Sequence, residues 1–240
     1  MIRTIFSLLR GDLGQEETIQ TLVVLAARVF VLLLCLPVHE VAHGWVAKRL
    51  GDNTATEQGR LRLNPLKHLD LFGTLLILTV GFGYAKPVPV NPANFTRPGK
   101  RKGFAKVAIA GPLSNLAMAA LFSLLTWLAA VVIYLSQSQS LSHLVLFFSS
   151  VCYMNISLAV FNLIPIPPLD GSRIVRFLLP LKAAVWMDRF EPYFGIGFFV
   201  VLLLGSFLKF DLLGAPIQFF SGIIYDAIYF VTGLPFRLLG

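Results

Sequence analysis

The sequence predicts an all-α membrane protein, a polytopic helical bundle of about five spans with a re-entrant, partly β-stranded loop between the first two. Three observations carry this reading. Of the 240 residues, 56% are hydrophobic and only 13% are charged, whereas an ordinary soluble domain is about a quarter charged. The apolar residues gather in runs long enough to cross a bilayer core, which takes about 20 residues. The basic residues fall in blocks beside those runs, as they do in the cytoplasmic loops of membrane proteins. No Ser/Gly-rich linker, low-complexity tract or repeat divides the chain, so residues 1–240 are expected to form a single intramembrane domain.

Residues 1–20 place Ile5, Phe6, Leu8 and Leu9 between Arg3 and Arg10, followed by Glu16 and Glu17. That apolar stretch is too short for a signal-peptide core, and an interfacial amphipathic segment is expected. Thr21–Ala47 is the first span, with Arg28 snorkelling outward near its start. Leu69–Tyr84 is apolar and Gly-rich but shorter than a comfortable span. Basic residues flank it on both sides, from Lys48 to Lys67 and from Lys86 to Lys106, so both ends are expected at one face and residues 58–95 form a re-entrant region. Period-two alternation at Arg60-Leu61-Arg62-Leu63 and Pro87-Val88-Pro89-Val90 predicts two short strands there, the second confined to an edge by its prolines. Non-helical backbone at membrane depth must be buried in protein or line a wet cavity. Phe104–Leu135 and Leu144–Ile164 are the next spans, joined by the short uncharged loop Ser136–Ser142. Tyr193–Leu208 follows, ended by Lys209 and Asp211. Leu213–Leu234, interrupted by Gln218 and Asp226, either crosses or lies in the interface.

The net charge of +8 does not imply a nucleic-acid partner, because the basic residues are not interleaved with aromatics on a polar surface. They suit a lipid bilayer with anionic headgroups. The same rule puts the amino terminus outside, the His39 end of the first span near the cytoplasm, and the block Arg173, Arg176, Lys182 and Arg189 on that same side. Cys35 and Cys152 both lie in apolar runs and read as small buried residues, not as a disulfide framework.

The chemistry is concentrated in two places. His39-Glu40-Val41-Ala42-His43 lies inside the first span. On a helix, residues i and i+4 share a face, so both imidazoles can point at one zinc ion while Glu40 stands beside them to take a proton from its water. Three polar side chains in hydrocarbon cost several kcal/mol unless something compensates them. Pro37, just upstream, is expected to kink the helix and open its hydrogen-bond ladder. Catalytic zinc has three protein ligands and one open position. His68 lies in a basic loop and His143 falls on the opposite side, so Asp170 is the third candidate, at the end of a span, after helix-breaking prolines, with Gly171 permitting a tight backbone turn.

These residues resemble the site-2 protease family of intramembrane zinc metalloproteases. The resemblance rests on His39–His43, on the Asn162–Gly171 block with its Leu169-Asp170-Gly171, and on Gly111-Pro112-Leu113-Ser114-Asn115, in that order over the central two thirds of the chain. It implies one Zn2+ per chain held by His39, His43 and Asp170, Glu40 as the base, and membrane-spanning proteins as substrates, in the plasma membrane of a prokaryote with the active site near the cytoplasmic side. Asn115 and Asn162 are candidate donors to the oxyanion or the substrate backbone, and equally candidates for plain helix-to-helix hydrogen bonds. The edges near Arg60 and Pro87 suggest either strand addition to substrate or a scaffold for the loop. Neither a peptide-binding nor a nucleotide-sensing accessory domain is expected in this compact chain, which leaves regulation to a membrane partner or to prior trimming of the substrate. The competing functions are a metal-binding transporter or chaperone without hydrolysis, and a scaffold whose polar residues pack the bundle. Glu40 argues against simple binding, which needs no base beside its ligands.

Overall fold

The computed structural model describes residues 7, 8, 10–70, 73, 74, 86–96, 99–137, 141–208 and 213–237, and every regular element among them is helical. Helix α1 (Gln15–Phe30) runs through a π turn (Val31–Cys35) directly into α2 (Leu36–Arg49). Pro37 accounts for that turn. It has no N–H for the carbonyl of Leu33, and its ring would strike that oxygen. The ladder therefore widens, and the N–H of Leu36 reaches back to the carbonyl of Val31. A π turn of this kind often marks a functional site, and here His39 follows Pro37 by two residues.

After the short helix α3 (Thr54–Glu57) come α4 (Lys100–Ser136), α5 (Ser142–Asn162), α6 (Asp170–Leu178), α7 (Leu181–Leu208) and α8 (Gly214–Arg237). Four stretches are long and apolar enough to cross a membrane: Gln15–Arg49, Lys100–Ser136, Ser142–Asn162 and Gly214–Phe236. The last of these includes most of the segment whose polar interruptions leave its crossing open in the sequence. Tyr193–Leu208, the other expected span, is the helical second half of α7.

Small residues hold the bundle together. Ala27, Val31 and Cys35 meet Ala119 and Phe122 of α4 and Val151, Cys152 and Ile156 of α5. Lipid tails are as apolar as leucine, so close packing and interhelical hydrogen bonds, more than exclusion of water, drive such association. Both cysteines are free and buried. On the far side, α8 docks on α4 through a Ser123–Thr232 hydroxyl pair at 2.7 Å and through the Trp127 indole N–H, which donates to the Tyr229 carbonyl at 3.1 Å. Gly233 makes this approach practicable, since a Cβ there would stand 2.5 Å from the indole ring.

The short helix α6 is tied at its end. The Arg101 guanidinium, from the first turn of α4, donates to the carbonyls of Arg176 and Leu179, which satisfies groups a helix C-terminus leaves open. Arg176 pairs with Asp188 at 2.5 Å and Glu191 at 2.8 Å on α7.

The two expected strands are corrected. Arg60–Leu63 and Pro87–Val90 form no ladder among the described residues. Period-two alternation is present, but Pro87 and Pro89 have no N–H to give. The groups that do bond turn elsewhere: the Arg60 guanidinium to the carbonyls of Lys86 (2.7 Å) and Pro87 (3.2 Å), and the Val88 N–H to Glu40. Of the re-entrant segment Leu69–Tyr84, residues 71, 72 and 75–84 lie outside the described residues.

Candidate active site

The π turn sets the phase of α2 so that His39, Glu40 and His43 are all buried. His43 Nδ1 lies 2.7 Å from the carbonyl of Val107 on α4. As the donor in that bond, Nδ1 carries the proton and Nε2 is left with its lone pair facing inward. His39 Nε2 lies 3.1 Å from His43 Nε2.

Asp170 arrives from the other half of the chain. After Asn162 the backbone leaves α5 and turns through the prolines into α6, whose first residue is Asp170. Gly171 is what lets α6 start so close. It has no left-handed φ, so its role differs from the expected tight turn. A Cβ there would strike the carbonyl of Leu163 and stand 2.5 Å from that of Ile164. Asp170 Oδ2 thereby comes within 3.3 Å of His39 Nε2 and 3.2 Å of His43 Nε2. Burial pushes the Asp170 carboxyl up, but the two imidazoles outweigh it and hold the group below the usual carboxylate range. Arg173, one turn on, stands 3.7 Å from Oδ1.

These three residues fit a zinc ion. Ligand atoms on a tetrahedral ion with bonds near 2.0 Å stand about 3.3 Å apart, and the three separations here are 3.1, 3.2 and 3.3 Å. The donor set points the same way. A carboxylate oxygen and an imidazole lone pair that face each other repel unless a cation lies between them. Asp170 Oδ2 is buried and, among the described residues, makes no hydrogen bond of acceptable geometry.

Other predicted residues take different places. Glu40 accepts a hydrogen bond on Oε2 from the Val88 backbone N–H at 2.9 Å. Asn115 is fully buried, and among the described residues neither its Oδ1 nor its Nδ2 has a partner. Asn162 donates to the Leu158 carbonyl one turn back at 3.0 Å. His68 is not a solvated loop residue, for it is wholly buried and its Nε2 lies 2.7 Å from the Arg62 carbonyl. It does not belong to the cluster, and neither does His143.

Two contributors join the site beside the residues predicted for it. Gly111 lies against both imidazoles: a Cβ there would touch His43 Nε2 and stand 2.6 Å from His39 Nε2. Its signal is a glycine inside an apolar helix, where it weakens the helix by roughly 1 kcal/mol relative to alanine and so wants a reason. The Val88 amide carries no sequence signal at all, since any residue but proline has one.

Membrane-length helices and a buried cluster of two imidazoles and one carboxylate give the chain the parts that a membrane-embedded zinc metalloprotease needs. Comparison with known proteins gives the same class. The profile of peptidase family M50 matches residues 126–204. The chain is 44% identical over 190 residues to YwhC of Bacillus subtilis (strain 168), covering 78% of this chain and 85% of that one. It is 31% identical over 166 residues to Rip2 of Mycolicibacterium smegmatis, covering 65% and 59%. With Rip2 of Mycobacterium tuberculosis (strain H37Rv) it shares 28% over 239 residues, covering 92% and 81%. All three relatives bear zinc-metalloprotease names. No solved structure matches the chain. The chain belongs to peptidase family M50, the site-2 protease family, and its activity is that of a zinc-dependent intramembrane protease.

Proposed function

We propose that His39, His43 and Asp170 are the zinc ligands, that Glu40 is the general base, and that the chain hydrolyses peptide bonds in or near the membrane-spanning segments of substrate proteins. The convergence of three ligand atoms from two distant parts of the chain, at the separations one tetrahedral ion requires, carries this reading. Zinc in that triangle supplies Lewis acidity, polarising a carbonyl and bringing the pKa of water down to about 7. The remaining work belongs to side chains of the protein. Val107 holds His43 in the tautomer that offers Nε2. The Val88 N–H fixes one oxygen of Glu40, and the other takes a proton from water and returns it to the leaving amine.

The substrate must present an extended peptide, since a helix hides its carbonyls. Asn115 is the better-supported amide for holding it. It follows Gly111 by four residues and so shares the face that meets the imidazoles, and its donors and acceptor are unspent. Asn162 has committed one N–H of its Nδ2 to Leu158, so part of its hydrogen-bonding capacity is already spent within α5.

The membrane arrangement extends this reading. The Lys86 N–H donates to the His68 carbonyl at 2.7 Å, and a segment whose two ends are bonded together begins and ends at one depth. This supports re-entry between the first two spans. We take the second half of α7 as the fifth span, because Phe198 is buried against Phe161, Leu169 and Ile217. Residues 1–240 then form one intramembrane metalloprotease domain. The basic ends of α2, α4 and α6 lie together, through the Thr96 N–H on the Leu50 carbonyl and Arg101 on the end of α6. The charge rule puts that end, and the active site with it, toward the cytoplasm of a prokaryotic plasma membrane.

The test uses the full chain purified in detergent, its zinc content, and cleavage of a panel of single-span reporter proteins. Glu40→Gln is expected to keep zinc and lose cleavage, and undiminished cleavage removes Glu40 from the mechanism. Asp170→Ala is expected to lower zinc content, and unchanged metal affinity contradicts its role as a ligand.

A further inference from the structure

We propose that Asp52 is a positioning residue for the catalytic base: it grips the chain segment whose Val88 amide holds Glu40. The inference rests on Glu40 being the base. Asp52 is only 1% exposed although it lies outside the helices, in the turn after α2. That turn is a rigid one. Gly51 has φ +108°, its N–H donates to the Lys48 carbonyl, and the Asp52 N–H reaches the Ala47 carbonyl, the paired bonds by which a left-handed glycine closes a helix. A Cβ on Gly51 would also stand 2.8 Å from Thr96 Oγ1. Asp52 is therefore part of the same rigid body as Glu40.

Its carboxylate is saturated with donors. Oδ1 accepts from the Thr54 N–H at 3.1 Å, the Thr54 hydroxyl at 2.5 Å and the Asn94 amide at 2.9 Å. Oδ2 accepts from the Asn91 backbone N–H at 2.7 Å. Two carboxylates of one body thus hold two amides of one extended segment, Glu40 the N–H of Val88 and Asp52 the N–H of Asn91. The near end of the segment is fixed separately, by the Lys86 N–H on His68 and by the Arg60 guanidinium on the Lys86 and Pro87 carbonyls. Without Asp52 the segment keeps its anchors at Lys86 and, through the Thr96 N–H on the Leu50 carbonyl, at Thr96, but it loses the hold on Asn91 between them, and the Val88 amide no longer meets Glu40 at a defined distance. Displacement of a catalytic group by about 1 Å can cost about 100-fold in rate.

The experiment compares wild type, Asp52→Ala, Asp52→Asn, Val88→Pro and the double variant Asp52→Ala/Val88→Pro as zinc-loaded full-length protein. Kinetics use the single-span reporter that wild type cleaves fastest, and amide hydrogen exchange is followed over residues 86–94 and over α4. Asp52→Ala is expected to lower kcat by about 10- to 100-fold with KM within about twofold, keep its zinc, and exchange faster over 86–94 while α4 is unchanged. Asp52→Asn, which keeps one acceptor oxygen, is expected to fall between, and it carries the test where the alanine variant does not fold. Val88→Pro removes the amide from Glu40 directly, so adding Asp52→Ala to it is expected to cost little more. Unaltered kcat in Asp52→Ala, unaltered exchange over 86–94, or losses that multiply in the double variant each overturn the proposal. Wild type that holds zinc and cleaves no reporter overturns the proteolytic reading and this inference with it.

Discussion

Gly111 tests the ligand triangle from its third side. His39 and His43 are held from below by α2, and Asp170 closes the triangle from α6, but the backbone of α4 at Gly111 fixes how far the imidazoles can turn away. Gly111→Ala puts a methyl group where the ring nitrogens stand. Alanine raises helix propensity by roughly 1 kcal/mol, so the fold of α4 has no reason to suffer while the metal site does. We expect helix content to be kept and zinc affinity to fall by at least about 10-fold, the scale seen when the surroundings of a metal ligand are disturbed. Equilibrium zinc competition against a chromophoric chelator measures it, and normal affinity means that α4 does not press on the imidazoles. This pattern also explains what the sequence makes legible in the site. His39, Glu40, His43 and Asp170 stand out because polar groups in apolar runs need compensation. Gly111 is visible in the sequence as a helix glycine, but its contact with the imidazoles, like the Val107 carbonyl and the Val88 amide, emerges only once residues far apart in the chain are brought together, 64 positions from His43 to Val107 and 48 from Glu40 to Val88.

Among the elements, the turn after α2 and the segment 86–96 behave as one clasp, and its chemistry makes it sensitive to acid. Burial pushes the Asp52 carboxyl up, but hydrogen bonds from Thr54, Asn91 and Asn94 outweigh it and hold the group below its ordinary range. A carboxyl whose folded pKa is depressed stabilises the fold fully above its unfolded value, near 4, and that stabilisation is lost as pH falls through the folded value. Wild type is therefore expected to melt above Asp52→Asn at pH 7, with the gap shrinking as the pH is lowered below about 4. The same carboxylates are present in both proteins apart from this one, so the difference between the two melting curves isolates Asp52, and a constant gap excludes the ionised clasp. The clasp also shows why alternation at Pro87–Val90 misleads. A period-two pattern describes how side chains alternate, whereas a strand needs a partner with matching amides and carbonyls. The amides of Val88 and Asn91 bond to carboxylates of α2 and its turn, and Arg60 offers the segment a guanidinium. The helices α4 and α5 are legible to within a few residues because a bilayer demands about 20 apolar residues whatever the packing, whereas α7 begins twelve residues before the expected Tyr193, where its sequence is still charged. The π turn is less so: Pro37 announces a break in the ladder without saying which form the break takes.

At the scale of the molecule, the distribution of charge is what supports the proposed orientation. The outward face of α4 keeps Leu113, Leu121, Leu124, Leu128 and Val132 exposed, which suits lipid and would be a liability in water. One end of the bundle collects Lys48, Arg49, Lys100, Arg101 and Lys102, and the other collects Glu16, Glu17 and the uncharged last turn of α4. Basic loops stay on the cytoplasmic side, so the proposed orientation puts Ser142 at the start of α5 outside and Lys102 at the start of α4 inside. Both positions are exposed. The two native cysteines, Cys35 and Cys152, are buried in the bundle and leave a quiet background for thiol labelling. In intact cells, Ser142→Cys is expected to react with a membrane-impermeant maleimide, while Lys102→Cys reacts only after the membrane is opened. The reverse pattern would turn the bundle over and put His39, His43 and Asp170 near the outer face. Reaction at both positions in intact cells would mean that α4 does not cross at all, and the buried metal triangle would then belong to a protein lying on the membrane instead of through it.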